Sequence, residues 1–362
     1  MRVAIIPPTG KTGIWTSSRH LIQGLRERDV DVRILHHFAL NSAHKRVFLG
    51  SLLLRRLIQD DSISLVHNVD NLGPFLLRHK DLRIKKVLTV HDISLVMLPP
   101  HYERIVRDRI LRFDFTTVLP RLIQNTDLTI VDSYSTMTDL IAQFRVDKEK
   151  LAVVHLGVDT SFFQPSNDYS QVLNKYGLRN KFLLYVGDDA ARKNLMTLVR
   201  AYVSIFHEIS DDLVLIGPIS KNKILTYINL SNIPLQLKKE VHKRIILLGY
   251  VPYDDLPSIY GAATALILPS LYEGFGLPPL EAMACNSPVV LSDNSSLREV
   301  AGDAGLYIDN PLDCEEISRN IVEIANNESL REHLRCRGYR QARRFSWETT
   351  VQKTIDAYNS IL

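Results

Sequence analysis

The chain has 362 residues, 45% hydrophobic and 23% charged, which suits a soluble globular protein of two domains. No apolar run reaches the roughly eighteen residues of a membrane span. The three cysteines, Cys285, Cys314 and Cys336, form neither a spaced pair nor a metal pattern, so a reducing compartment is expected.

The net charge of +4 is unevenly spread. Residues 1–155 hold 23 Lys and Arg against 16 Asp and Glu, whereas the remainder holds 21 against 24. A basic first half suits an anionic acceptor or an acidic membrane surface, and ordinary surface charge explains it equally well. The N-terminus enters a strand pattern directly, without signal-peptide organisation, so a cytoplasmic protein is expected.

In chain order, short apolar runs of strand length occupy Val3–Pro8, Val32–His36, Ile63–Asn68, Lys86–His91, Leu128–Asp132 and Leu151–His155. Helical patterns lie between them, such as Ser17–Arg28 and His101–Val118. The scheme repeats with Phe182–Gly187, Leu213–Gly217, Ile245–Gly249, Ala265–Pro269, Val289–Ser292 and Leu306–Ile308. Apolar runs separated by helices predict parallel sheets covered on both faces. Two such series predict an α/β protein of two doubly wound, Rossmann-like domains. Between Gly157 and Asn180 the alternation breaks. The division expected is a first domain at 1–160, a linker at 161–180 and a second domain at 181–345. A final amphipathic helix over 346–362 is expected to pack back on the first domain.

The most informative stretch is Glu273-Gly-Phe-Gly-Leu-Pro-Pro-Leu-Glu281, continuing to Cys285. It joins the buried strand pattern at Ala265–Pro269 to a helix expected from Leu277 to Cys285. Gly274 and Gly276 let backbone approach a ligand closely. N–H groups at a helix start favour an anion such as a diphosphate. Glu273 and Glu281 cannot partner that anion and are assigned to neutral hydroxyls, as acceptors. Phosphate beside hydroxyls describes a sugar nucleotide. Two surface carboxylates near a helix N-terminus are the plain alternative.

Arg192 and Lys193 follow the strand that ends at Gly187. At that edge two cations could neutralise a departing diphosphate; a solvated basic pair is the common alternative. Gly10-Lys11-Thr12 mimics the end of a phosphate-binding loop, but Ile5 stands where its first glycine belongs, so the spacing fails. His91 ends a strand, where a lone histidine is more often structural than catalytic. Ser133 reads as well as a helix N-cap before Tyr134 as it does as a site residue.

In order and spacing, these residues resemble the retaining, nucleotide-sugar-dependent glycosyltransferases of family 4, with the GT-B fold. The resemblance rests on Tyr185-Val-Gly187 with Arg192-Lys193-Asn194, on Leu248-Gly249-Tyr-Val251, and on Glu273 to Cys285. It continues through Pro288-Val-Val290, Ser296-Leu-Arg-Glu-Val300 and Gly302-Asp-Ala-Gly305. In the first half Thr89-Val-His91-Asp92, Val131-Asp-Ser133 and Gly157-Val-Asp159 are similar too. The resemblance implies two domains facing a cleft. It implies that Glu281 accepts from the donor ribose and that Glu273 holds the transferred sugar. Phe275, Gly276 and Leu277 would meet sugar and phosphates, and Gly187, Tyr250 and Val251 would line the nucleotide. Gly13 stands for the family's glycine loop beside the donor phosphates, and His91 would lie near the donor sugar. His155 stands where the family often has asparagine and is given no role.

The expected activity is transfer of a hexose, with mannose preferred, from a GDP- or UDP-sugar to a glycan or lipid-linked saccharide in surface polysaccharide synthesis. No cofactor or metal is expected, since Arg192 and Lys193 supply positive charge and no Asp-x-Asp follows a strand. No nucleic-acid partner is expected. A non-catalytic sugar-nucleotide-binding protein and a glycoside hydrolase with paired carboxylates are the alternatives. Lys45–Ile58 and Tyr102–Arg112 mix arginines with apolar residues at helical spacing. That suits peripheral membrane contact through the first domain, and it suits more commonly a core-facing helix with a basic solvated face.

Overall fold

A computed structural model describes residues 1–8, 13–35, 62–73, 84–99, 106–166, 168–179, 181–231 and 234–362. Among these residues, six strands form a first sheet: β1 (Arg2–Ile6), β2 (Asp31–Ile34), β3 (Leu65–Asn68), β4 (Lys85–Val90), β5 (Leu128–Val131) and β6 (Leu151–Val153). Six more form a second: β7 (Phe182–Val186), β8 (Asp212–Ile216), β9 (Ile245–Gly249), β10 (Ala265–Leu268), β11 (Val289–Ser292) and β12 (Gly305–Ile308). All their pairings are parallel. The first sheet runs β2-β1-β3-β4-β5-β6 and the second β12-β11-β10-β7-β8-β9. Each of the twelve expected apolar runs is thus a strand, because a parallel sheet covered on both faces needs side chains that are apolar on both.

The first sheet shows the consequence residue by residue. Val3 and Ile5 of β1 pack on one face with Leu65, Val87, Leu128 and Ile130. Ala4 and Ile6 pack on the other with Val66, Leu88, Val90 and Val131. The first of these faces is covered by Leu21, Ile22 and Leu25 of the Gly13–Arg26 helix. The same face receives Val351, Ala357 and Tyr358 of the Trp347–Asn359 helix.

The chain divides into two compact units: residues 1–157 with 345–362, and residues 158–344. The C-terminal helix therefore belongs to the first unit. Residues 161–180, expected as a linker, cluster with the second unit and include the Ser170–Lys175 helix.

The helical pattern expected over His101–Val118 runs further. A helix at Val106–Phe113 passes through one π-helical turn, Asp114–Val118, into Leu119–Asn125. Pro120 does not stop it and stands where the π-helical turn passes into the last segment. Residues 101–105 and the Lys45–Ile58 segment lie outside the described residues. Among the described residues, no helix is long and apolar enough to cross a membrane.

Candidate active site

In the second unit the strand order reverses between β7 and β10, each the start of a series running outward to one edge. In open parallel sheets ligands bind at such a switch point, outside the carboxyl ends of the strands. The two loops that leave those ends carry Arg192 and Lys193 after β7, and Glu273 after β10.

These three residues meet. Lys193 Nζ donates to both carboxylate oxygens of Glu273, at 2.7 and 2.9 Å. Arg192 Nη1 lies 3.3 Å from Glu273 Oε2, and Ser270 Oγ donates to Oε1 at 2.6 Å. Lys193 and Glu273 are both buried, whereas Arg192 is partly exposed. Burial alone would raise the Glu273 pKa. The Lys193 and Arg192 charges and the hydrogen bonds from Lys193 and Ser270 outweigh it and hold the carboxyl below its ordinary value.

The loops are tied to each other and to the next turn. Leu271 N–H donates to Arg192 O at 2.7 Å. Asn194, left-handed at φ 54°, donates from Nδ2 to Pro269 O at 3.0 Å. Ser295 Oγ accepts from Glu273 N–H at 3.0 Å, and Ser296 Oγ lies 3.0 and 2.7 Å from the carbonyls of Glu273 and Phe275. Gly276 has φ 116°, a conformation that needs glycine, and it turns the chain into the Leu277–Ala284 helix. The expectation of several N–H groups at this helix start needs correction, because Pro278 and Pro279 in the first turn have none. Any anion cradle here relies on the amides around Gly276 and Leu277.

One turn into this helix, Glu281 has a different environment. Its Oε2 accepts from Tyr260 Oη at 2.9 Å, and no salt bridge to it is formed among the described residues. Burial pushes its pKa up to about 7, with the Tyr260 hydrogen bond pulling the other way. Two carboxylates eight positions apart therefore differ sharply: Glu273 is fixed as an anion, and Glu281 titrates near neutrality.

The remaining second-unit candidates lie at the same strand ends. Gly187 follows β7, with its N–H donated to Ile216 O at 2.9 Å. A Cβ on Gly217 would come within 2.0 Å of the Gly187 carbonyl oxygen, so these two strand ends touch backbone to backbone. Gly249 (φ 67°) ends β9 and leaves Tyr250 83% exposed, while Val251 is buried. Phe275 is buried as well.

His91 and Gly13 belong to the first unit. Gly13 is the first residue of its helix, and residues 9–12 lie outside the described residues. His91 is buried at the end of β4, with Nδ1 2.6 Å from Asp132 Oδ2 and Nε2 3.2 Å from Val69 O. Both partners are acceptors, so both ring nitrogens carry protons and the imidazole is a cation. Burial alone would lower its pKa, but Asp132 above all raises it to about 9. In this arrangement His91 can supply charge; it has no lone pair with which to act as a base. Next to it, His67 is pushed down to about 3 by burial and by the His91 charge, and its neutral ring bridges Tyr358 Oη (2.6 Å) and Thr89 Oγ1 (2.7 Å). Ser133 caps the Tyr134–Phe144 helix, accepting from Thr136 N–H at 3.0 Å. His155 sits edge-on to Tyr134 and Phe345, with ring centroids 5.6 Å away in each case.

Residues 169–341 match the family described as glycosyl transferases group 1, and residues 11–162 match glycosyltransferase family 4. The chain belongs to the family 4 glycosyltransferases. It is 35% identical over 293 residues to the O-antigen chain mannosyltransferase B of Escherichia coli, covering 79% of this chain and 73% of that one. Its fold is similar to sucrose-phosphate synthase from Thermosynechococcus elongatus, with a TM-score of 0.81 at 19% identity over 99% of this chain and 98% of that one. It is similar too to Anabaena Alr3699/HepE in complex with UDP and glucose, with a TM-score of 0.77 at 17% identity over 99% and 100% of the two chains. These likenesses give the fold as GT-B, two Rossmann-like domains. Membership of the family sets aside the glycoside hydrolase alternative.

Ser270, Tyr260 and Ser295 meet the candidate residues without having been singled out in the sequence, and Ser296 and Asp132 stood in the quoted motifs without a role. Of the first three, Ser270 had a usable signal, since it directly follows the apolar run that ends at Pro269.

Proposed function

We propose that this glycosyltransferase moves a hexose, with mannose preferred, from a GDP- or UDP-sugar to a hydroxyl of a surface polysaccharide or lipid-linked saccharide, with retention of the anomeric configuration. The observation that carries this reading is the pairing of opposite environments at the β7/β10 switch point. A cation cluster locked to Glu273 suits a leaving diphosphate, and the uncharged surroundings of Glu281 suit a neutral hydroxyl. The mannosyltransferase relative supports the sugar, and the UDP and glucose held by a protein of the same fold support the donor class.

On this reading Arg192 and Lys193 neutralise the charge that builds on the diphosphate as the glycosidic bond breaks. Glu273 orients Lys193 and accepts from hydroxyls of the transferred sugar. Glu281 accepts from the ribose. The acceptor hydroxyl attacks from the face the diphosphate leaves, and the departing phosphate takes its proton. No enzyme carboxylate forms a covalent bond, and no metal is required for charge neutralisation.

A thermal-shift screen against GDP, UDP, dTDP and ADP and their sugars, with EDTA present, tests the reading. A ligand that binds only the folded state raises the melting temperature. One nucleotide should do so without metal, and its mannose conjugate should give a product of unchanged anomeric configuration by NMR. No shift with any of them at millimolar concentration would overturn the proposal in favour of a protein that binds no nucleotide sugar.

A further inference from the structure

Glu281 has a partner that no motif announces. Tyr260 lies in the Leu256–Ala262 helix, completely buried, with its hydroxyl 2.9 Å from Glu281 Oε2. The ring is held on its other sides. Phe163, itself buried, meets it with ring centroids 6.2 Å apart, and the Phe163 ring in turn stands edge-on to Tyr253 at 5.3 Å. Phe162 stacks on Tyr253 at 4.8 Å, interplanar angle 7°. At the next position, a Cβ on Gly261 would come within 2.5 Å of the Tyr169 hydroxyl, so this helix sits hard against the 158–176 segment. Swinging the tyrosine hydroxyl away would disturb the Phe163 ring and, through it, the stacked Phe162 and Tyr253.

A carboxylate offers about four lone-pair sites on two oxygens. Tyr260 occupies Oε2, and no donor among the described residues bonds Oε1. Fixing one oxygen removes rotation about the last side-chain bond and aims the other.

We propose that Tyr260 is the positioning residue of the donor site, holding Oε2 of Glu281 so that Oε1 faces the ribose hydroxyls of the nucleoside diphosphate. This rests on the reading that Glu281 meets the ribose. The hydrogen bond does a second job: it favours the ionised carboxylate against burial, which favours the acid. The titratable groups facing the carboxyl are Tyr260 itself and the buried Cys285 one turn on, with Tyr253 beyond Tyr260. None is a cation, so among the described residues Tyr260 is the one group that opposes protonation.

The test is affinity for GDP and UDP, each against its 2′,3′-dideoxy form, between pH 6 and 9 in the native protein, Tyr260→Phe and Glu281→Ala. The ratio of the two forms cancels the titration of the phosphate and isolates the ribose contacts. The native protein should prefer the ribo form roughly ten- to a hundredfold, as expected for a hydrogen bond to a charged group. In Tyr260→Phe that preference should fall several-fold at pH 7 and recover only in part by pH 9, where the carboxyl ionises without help but is no longer aimed. A merely structural role would lower affinity for both forms alike, at every pH. Glu281→Ala should lose the preference throughout. If Glu281→Ala keeps it, the ribose reading fails; if only Tyr260→Phe keeps it at every pH, the role of Tyr260 fails and the ribose reading stands. Should Tyr260→Phe not fold, 3-fluorotyrosine at 260 gives the converse test. Its stronger donor should move the pH dependence of the preference to lower pH, and an unmoved profile would overturn the proposal.

Discussion

Lys193 sets its ammonium group 2.7 and 2.9 Å from the two oxygens of Glu273, and both side chains are buried. The cation that the motif offers to a phosphate is therefore already half of an ion pair. On the proposed reading, a diphosphate arriving there would compete with, or add to, a carboxylate that also accepts a hydrogen bond from Ser270.

Removing one partner of a buried pair leaves an uncompensated charge, which costs about 3–5 kcal/mol. Lys193→Met and Glu273→Leu should each lower stability by that order in urea unfolding, along with transferase activity. The double variant Lys193→Met/Glu273→Leu should recover much of the stability and none of the activity. Additive losses in the double variant would show that the two residues do not act as a pair.

Glu281 makes stability depend on pH. Its folded pKa of about 7 lies above the ordinary 4.5, so between these values the folded state keeps a proton that the unfolded state has lost. Stability must then fall as pH rises from 4.5 through 7, by at most about 3 kcal/mol. Glu281→Gln should remove this decline. Parallel slopes for the native protein and the variant, in denaturation across pH 5–7.5, would contradict the raised pKa.

His91 acts in the next window. It is charged when folded up to about pH 9, against 6.5 ordinarily, so its contribution is complete below 6.5 and is lost as pH rises through 9. The imidazole signals of His91 in NMR should not titrate between pH 6 and 8. In Asp132→Asn the midpoint should drop below 7 with loss of stability. A native midpoint near 6.5 would refute the charged assignment.

Gly157 has backbone for a neighbour. A Cβ there would lie 2.2 Å from Trp347 N and 2.3 Å from Ser346 C, and no rotamer change can relieve that. Gly157→Ala should cost about 1–3 kcal/mol, as overpacking does. Hydrogen exchange should quicken in Trp347–Asn359, and unchanged protection there would exclude the clash.

The strands were legible because each is a Val, Ile or Leu run with no competing pattern. The site was legible where chemistry follows the chain: Arg192 and Lys193 after one strand, Glu273 and Glu281 around one turn. What stayed hidden is pairing across the fold. Nothing near Lys193 in the sequence says that its charge is met by a residue 80 positions on. Tyr260 reads as one more core aromatic until its hydroxyl is found against Glu281. His91 stood as a lone histidine because Asp132, its partner, follows the neighbouring strand β5. Pro278 and Pro279 are the opposite case, since their lack of N–H groups is readable in the sequence itself.

The C-terminal helix has a consequence for the order of events during synthesis. Val351, Ala357 and Tyr358 complete the face of the first sheet, and Tyr358 is the partner of the buried His67. When a ribosome has released residues 1–157, that face has only the Gly13–Arg26 helix over it and His67 still lacks its phenol. The second unit must be made in full before the closing helix emerges. Domains commonly fold in the order in which they are translated; here the unit translated first is finished last, and for that interval part of its apolar face stays uncovered.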